Sequence, residues 1–300
     1  MTPPRVVGYA GVARAPFLVL PVVLVANGAT AQAWAGEFSW PNTLLALVGL
    51  LAMHIVVNVR NEVSDFERGI DLVTERTPFS GGSGTLPAGH LNRKQATAFG
   101  WVALLVGAAI GVYFIVQVGA AVVPILLAGL VAVLFYTPFF TNIGIGEIAA
   151  GAGLGFLPVV GTAVVQQGHA SPSAVAAAIP SFFMTFNLLL LNEFPDENAD
   201  RAGGRSNLVL LLGRRGAAWF WLGAVAATII AIIGGVVIGT LPVWCLLALL
   251  PVVALGPAIG WAVRTPEAPV PLPGLGGNVI WNLATNALLA VGFGIALLQR

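Results

Sequence analysis

The chain has 300 residues, 58% of them hydrophobic and only 8% charged, with a formal net charge of +1 and a mean hydropathy of +0.92. Such a composition excludes a water-soluble globular domain and a disordered chain, and places the protein among polytopic membrane proteins. No basic cluster interleaved with aromatic residues is present, so no nucleic-acid partner is expected.

About 20 mostly apolar residues cross the hydrocarbon of a bilayer. By that length nine spans are predicted, at 14–33, 43–62, 96–117, 120–139, 146–166, 173–193, 217–239, 242–262 and 278–298. The first is interrupted by Pro21 and Gly28, lacks a convincing cleavage site and runs on into further spans, so it is read as a span rather than a leader. No soluble block separates the spans, and residues 1–300 are expected to form a single integral-membrane domain of the all-α class. The lone cysteine, Cys245, lies in an apolar run and excludes an intrachain disulfide.

All four aspartates fall in two look-alike segments, NEVSDFERGID (Asn61–Asp71) and NEFPDENAD (Asn192–Asp200). Nine of the 12 acidic residues lie between Glu62 and Glu75 or between Glu193 and Asp200. The longest predicted loops, about 64–95 and 195–216, carry these segments. Four spans separate them, so both emerge on one face of the membrane. Twelve of the 13 basic residues are placed on that face and only Arg300 on the other, which by the positive-inside rule turns the motifs toward the cytoplasm.

On span two, His54, Asn58, Asn61 and Asp65 follow i, i+4, i+7, i+11 spacing and form one polar stripe. On span six, Asn192, Asp196 and Asp200 follow i, i+4, i+8. Polar groups at membrane depth are costly, face the protein interior and mark functional paths. A simple polar contact between spans two and six accounts for the asparagines. Two carboxylate sets facing each other repel unless a cation lies between them. Carboxylate and amide oxygens at this spacing suit a hard divalent ion such as Mg2+. Arg68 and Arg76 accompany the first cluster, Arg201 and Arg205 the second. Metal plus arginine is a recurrent way to hold a diphosphate. Between the motifs, TPFSGGSGTLPAGHL (77–91) reads either as a flexible loop or as backbone that approaches phosphate oxygens. Tyr136 ends span four on the motif side, and its ring could face a cation. Asn278, Asn282 and Asn286 make an i, i+4, i+8 stripe on span nine that serves either a pocket or helix packing.

With both motifs in view, the chain resembles the UbiA-type intramembrane prenyltransferase superfamily and is most similar to its menaquinone-pathway branch. That branch carries NDxxDxxxGxD, matched here at Asn61, Asp65, Gly69 and Asp71 with Glu62 in place of an aspartate. Its second motif is matched at Asn192, Asp196, Asp200, Arg201 and Arg205. RAPF (14–17), GGSGTLPAG (81–89), GIGE (144–147) and GTAVVQQG (161–168) also look familial. Thr141 and Asn142 stand where the family often has basic residues, and Ser206 and Asn207 where it has a basic residue and a threonine.

The resemblance implies nine transmembrane helices around a central cavity open sideways to lipid. It implies Mg2+ and diphosphate at Asn61, Asp65, Asp71, Asn192, Asp196 and Asp200, with Asp65, Asp196 and Asp200 catalytic. Arg68, Arg76, Arg201 and Arg205 would neutralise phosphate oxygens. His54, Asn58, Tyr136 and Asn282 are the candidates for the acceptor or prenyl pocket. The implied reaction joins an isoprenyl diphosphate to an aromatic acceptor such as a dihydroxynaphthoate. A terpene cyclase on the same scaffold would need no acceptor. A transporter is the third reading, against which stands the placing of the acids at span ends rather than at the bilayer midplane. Acceptor, chain length and oligomeric state are left open by the sequence.

Overall fold

The computed structural model describes residues 5–74 and 76–300; Glu75 of the first acidic segment lies outside them. Every regular element among the described residues is helical. After a short α1 (Arg5–Val12), a 3-10 turn at Ala15–Leu18 leads into α2 (Val19–Trp34). Then come α3 (Trp40–Glu67), a one-turn α4 (Ile70–Val73), α5 (Arg93–Val118) and α6 (Val123–Phe135). The fifth span is composite, with α7 (Gly146–Ala150), a π turn at Gly151–Phe156 and α8 (Leu157–Gln167). It is followed by α9 (Pro172–Ala202) and α10 (Leu208–Val237). The eighth span winds tightly over Val243–Leu255 into α11 (Gly256–Arg264), and α12 (Leu272–Leu298) closes the bundle.

Eight of these stretches are long and apolar enough to cross a membrane, and a shorter apolar one covers Ala120–Phe135. The protein is therefore an integral membrane protein with the nine-span pattern read from hydropathy. Its outer surface inverts that of a soluble protein. Large apolar side chains such as Trp101, Val116 and Val253 are exposed, where lipid takes the place of water.

Local signals start the helices. Ser39, Asn92, Ser171 and Asn207 each accept a backbone N–H of the first turn, and Asn92 and Gln95 form a reciprocal capping box. The helix ends differ from the predicted loop boundaries. α3 runs to Glu67 and α9 to Ala202, so both acidic motifs stand largely on helix rather than in loops. Hydropathy marks where lipid ends. The helix persists until the chain can turn, at Gly69 (φ 75°) and at Gly203–Gly204 (φ 72° at Gly204). Likewise α10 begins at Leu208, nine residues before the predicted span, with a break at Gly213 (φ 69°).

α9 sits at the centre, packed on α2, α7, α8, α10, α12 and the π turn. The tightest seam runs between α12 and the eighth span. A Cβ on Gly277 would stand 2.1 Å from the carbonyl oxygen of Ala254, and one on Gly292 would stand 2.7 Å from the Cys245 nitrogen. Small residues let backbones meet in this way where lipid supplies no hydrophobic drive between helices. Gly277→Val is expected to force the seam apart at a cost of about 1–3 kcal/mol. The check is the melting temperature in detergent, and an unchanged value would show a seam looser than the distances imply.

Candidate active site

The two motif-bearing helices end beside each other. α3 brings His54, Asn58, Asn61 and Asp65 along one face, and α9 brings Asn192, Asp196 and Asp200 along another. With Asp71 from α4, Tyr136 after α6 and Arg205 after α9, they line a single cavity of about 290 Å³. Its remaining wall includes Phe17 and Leu20 of the first span and Val279 and Leu283 of the last.

Arg205 joins the motifs. Its Nη2 donates to Asn61 Oδ1 at 2.9 Å and to Asp65 Oδ1, and its Nη1 donates to Asp200 Oδ1 at 3.4 Å. Asn61 Nδ2 donates to the other Asp65 oxygen at 3.1 Å. Asn207 Nδ2 donates to Asp200 Oδ2 at 3.0 Å while its own Oδ1 caps α10. The departure from the familial threonine at Asn207 is thus a contact to the second motif.

Several oxygens on this cavity are left over. Asp71 Oδ2, Asn192 Oδ1 and Asp196 Oδ1 are buried with no hydrogen-bond partner among the described residues. Buried polar atoms are otherwise almost always paired, so an orphaned set converging on one cavity marks a ligand position. These are hard oxygen donors and fit a hard cation. Among the described residues no three His, Cys, Asp or Glu side chains converge closely enough to hold an ion alone. An ion here would complete its shell with phosphate oxygens and water, as Mg2+ commonly does. Asp71 is 3% exposed, and burial, then the charges of Glu62 and Asp65, push its carboxyl up to about 7.

The glycine-rich stretch between the motifs is tied down. Glu62, fully buried, accepts from Arg14 Nε at 2.8 Å, from the Ser83 backbone N–H at 2.8 Å and from Ser83 Oγ at 2.7 Å. The Gly81 N–H donates to Asp196 Oδ2 at 3.3 Å. At Gly82, φ is +71° and a Cβ would stand 2.6 Å from Asp71 Oδ1, so only glycine fits against that carboxylate. Arg14 itself holds φ +50°, the one non-glycine residue in the left-handed region among those described. Such strain persists only where surrounding contacts impose it. Neither Arg14 nor Glu62 was marked as a partner by its sequence neighbourhood, because their contact spans 48 residues.

Other candidates lie elsewhere. Arg68 is exposed and donates to Asn142 Oδ1 at 2.8 Å, away from the cavity. Arg201, one residue and about 100° round the helix from Asp200, is exposed and pairs with Glu197 at 3.2 Å. Arg76 is exposed behind the glycine loop and donates to the Asp71 carbonyl at 2.8 Å. Asn282 is fully buried against Asn286, in a polar seam that continues to Ser181 and Asn27, and does not line the cavity. Of the pocket candidates, Asn58 holds the Ala13 carbonyl at 2.8 Å. His54 Nδ1 donates to Leu50 O at 3.1 Å, which leaves Nε2 as the acceptor, buried and unpartnered among the described residues.

The family model for the UbiA prenyltransferase family matches residues 19–272. The chain belongs to the UbiA prenyltransferase family. It is therefore a prenyltransferase, and both acidic motifs of this UbiA-family chain line the cavity described above. It is 28% identical over 218 residues to a Bacillus subtilis protein named 1,4-dihydroxy-2-naphthoate octaprenyltransferase, covering 70% of this chain and 67% of that protein. An Escherichia coli protein of the same name is 26% identical, covering 67% of each. Among solved structures, the apo form of a UbiA homolog from Aeropyrum pernix K1 superposes with a TM-score of 0.70 at 19% identity, over 94% of this chain and 98% of that one. A UbiA homolog from Archaeoglobus fulgidus bound to GPP and Mg2+ gives a TM-score of 0.64 at 14% identity, over 96% and 99%. At those identities the structures establish a shared fold.

Proposed function

We propose that the protein transfers the prenyl group of an isoprenyl diphosphate to an aromatic acceptor of the dihydroxynaphthoate type, releasing diphosphate, with Mg2+ as cofactor. The observation that carries this reading is the meeting of both motifs in one cavity, bridged by Arg205 and lined with orphaned oxygens. The names of the relatives support the acceptor class, and the A. fulgidus homolog's ligands support the donor and the ion.

Asn61, Asp65, Asp71, Asn192, Asp196 and Asp200 are the residues that would hold the ion. When bound, Mg2+ supplies the positive charge that makes diphosphate a competent leaving group. Arg205 donates charge-assisted hydrogen bonds to phosphate oxygens from its place between the motifs. The allylic C–O bond breaks with its electron pair passing to diphosphate, and a ring carbon of the acceptor forms the new C–C bond. That carbon then loses the group it carried, as a proton passed to water or diphosphate or as CO2, to restore the aromatic ring. The Tyr136 ring stabilises the allylic cation through its π face. Asn58 and the free Nε2 of His54 orient the acceptor's polar edge. The whole chain acts as one integral-membrane domain, and the weight of basic residues on the motif face directs that face to the cytoplasm.

Purified protein in lipid, given Mg2+ and geranylgeranyl or farnesyl diphosphate, is expected to release diphosphate only with 1,4-dihydroxy-2-naphthoate present and to form a prenylated product. Release without acceptor, giving a cyclic hydrocarbon, would replace the reading with a cyclase. No release with any acceptor or chain length would remove the enzymatic role.

A pH dependence follows from Asp71. Its folded value, about 7, lies above the ordinary 3.8, so the folded protein keeps a proton there that the unfolded chain has lost. This group's contribution to stability is full in acid and is lost as pH rises through about 7. A cation must displace that proton. Mg2+ binding in the presence of diphosphate should be about tenfold weaker at pH 6 than at pH 8, with proton release by calorimetry. Affinity that is flat over that range would place Asp71 outside the ion's shell.

A further inference from the structure

Two more cavities lie along α3 beside the active site. One, of about 330 Å³, is an apolar groove between α3, α5, α6 and α8, with Val112 (60% exposed) and Leu127 (57%) on its lipid-facing rim. The other, also about 330 Å³, lies toward the motif end of α3 and is bounded by Arg60, Arg68, Arg93, Glu67 and Trp101. Leu104 lines both, so the two grooves adjoin at that side chain.

The polar groove is strongly cationic. Three guanidiniums face one carboxylate, Glu67, which pairs with Arg93 at 2.5 Å. Arg60 Nη2 donates to Leu134 O at 3.1 Å, but its Nε is buried with no partner among the described residues. Arg68 makes its single contact to Asn142 and is otherwise exposed. Trp101, 57% exposed, stands at the lip, the usual depth of an interfacial aromatic.

We infer that the two grooves together bind one anionic phospholipid of the motif-side leaflet. Its phosphodiester lies among Arg60, Arg68 and Arg93, and one acyl chain descends past Leu104 into the apolar groove. Basic pockets between helices at the membrane surface recognise anionic headgroups in this way. A phosphodiester carries one negative charge and needs no metal. A diphosphate fits less well, because this groove offers no orphaned carboxylate or amide oxygens to hold a divalent ion. His54 lines both the apolar groove and the active-site cavity, so the chain of the bound lipid ends against the wall of the reactive site.

The test is native mass spectrometry of the full-length protein taken from vesicles of equal phosphatidylcholine and phosphatidylglycerol. Wild type should retain phosphatidylglycerol at least about fivefold over phosphatidylcholine. The R68Q/R93Q double variant, altered only at exposed side chains, should bring that ratio to about one. Leu104→Trp, which adds bulk where the two grooves adjoin, should lower retention while leaving the arginines in place. Equal retention of both lipids by wild type, or enrichment that survives the double variant, would overturn the proposal. Displacement of the lipid by excess soluble glycerol phosphate would also overturn it, since it would show a phosphate site indifferent to the acyl chain. Displacement by diphosphate with Mg2+ would reassign the groove to the prenyl donor.

Discussion

Asp196→Asn is expected to lower turnover on the order of 10²–10³-fold, as loss of one fixed charge from a preorganised site usually does. Its effect on melting temperature should be small. Asp196 uses only one oxygen in the fold, Oδ2 to the Gly81 N–H at 3.3 Å, and an asparagine oxygen can accept the same bond. The other oxygen, Oδ1, is the buried and unpartnered one on the cavity. The substitution therefore removes charge where a ligand would meet it and leaves the packing nearly intact. Asp65 is the less clean target. Its carboxylate also anchors Arg205, so Asp65→Asn mixes chemistry with the cost of stranding a largely buried guanidinium. Wild-type turnover in Asp196→Asn would mean that its free oxygen serves neither ion nor substrate.

Glu62 should behave in the opposite way. Its fully buried carboxylate holds Arg14 and two groups of Ser83, and no oxygen of it is left over. Removing one partner of such a pair costs about 3–5 kcal/mol when both charges are buried. Arg14 retains 25% exposure, so the lower end, about 3 kcal/mol, is expected for Glu62→Ala. The loop at Gly81–Ser83 loses its anchor, so the KM for the diphosphate substrate should rise along with the fall in stability. Glu62→Asp tests the length of the side chain. The shorter acid cannot span from α3 to both Arg14 and Ser83 in their present places, and it should rescue stability only in part. A Glu62→Gln protein of unchanged melting temperature but altered Mg2+ half-saturation would identify Glu62 as an ion ligand instead.

These residues show what a single sequence reveals about such a site. The i, i+4, i+7, i+11 stripe from His54 to Asp65 reports one helical face, and all four residues line the cavity. The same holds for Asn192, Asp196 and Asp200. Periodicity names a face but not what the face meets. Asn278, Asn282 and Asn286 have equally regular spacing and turn into packing against α2 and α9. The arginines divide by helical phase and by turn geometry. Arg205 follows the left-handed Gly204 and swings back between the motifs, whereas Arg201 remains on the outer face of α9. Long-range pairs such as Arg14 with Glu62 leave no local trace. The fold class was legible because hydropathy is written along the chain. The helix ends were not, since lipid stops before the helices do.

That overrun has a kinetic meaning. α3 and α9, with 28 and 31 residues, are roughly 42 and 46 Å long, against a hydrocarbon layer of about 30 Å. Their motif-bearing ends therefore reach the headgroup zone while their middles stay in oil. An amphiphile with an ionic head and a long apolar tail already sits at that depth before it meets the protein. It arrives by lateral diffusion within one leaflet and does not have to leave the bilayer to be bound. Its effective concentration is then a surface density, and saturation should track the mole fraction of prenyl donor among the lipids rather than its bulk molarity.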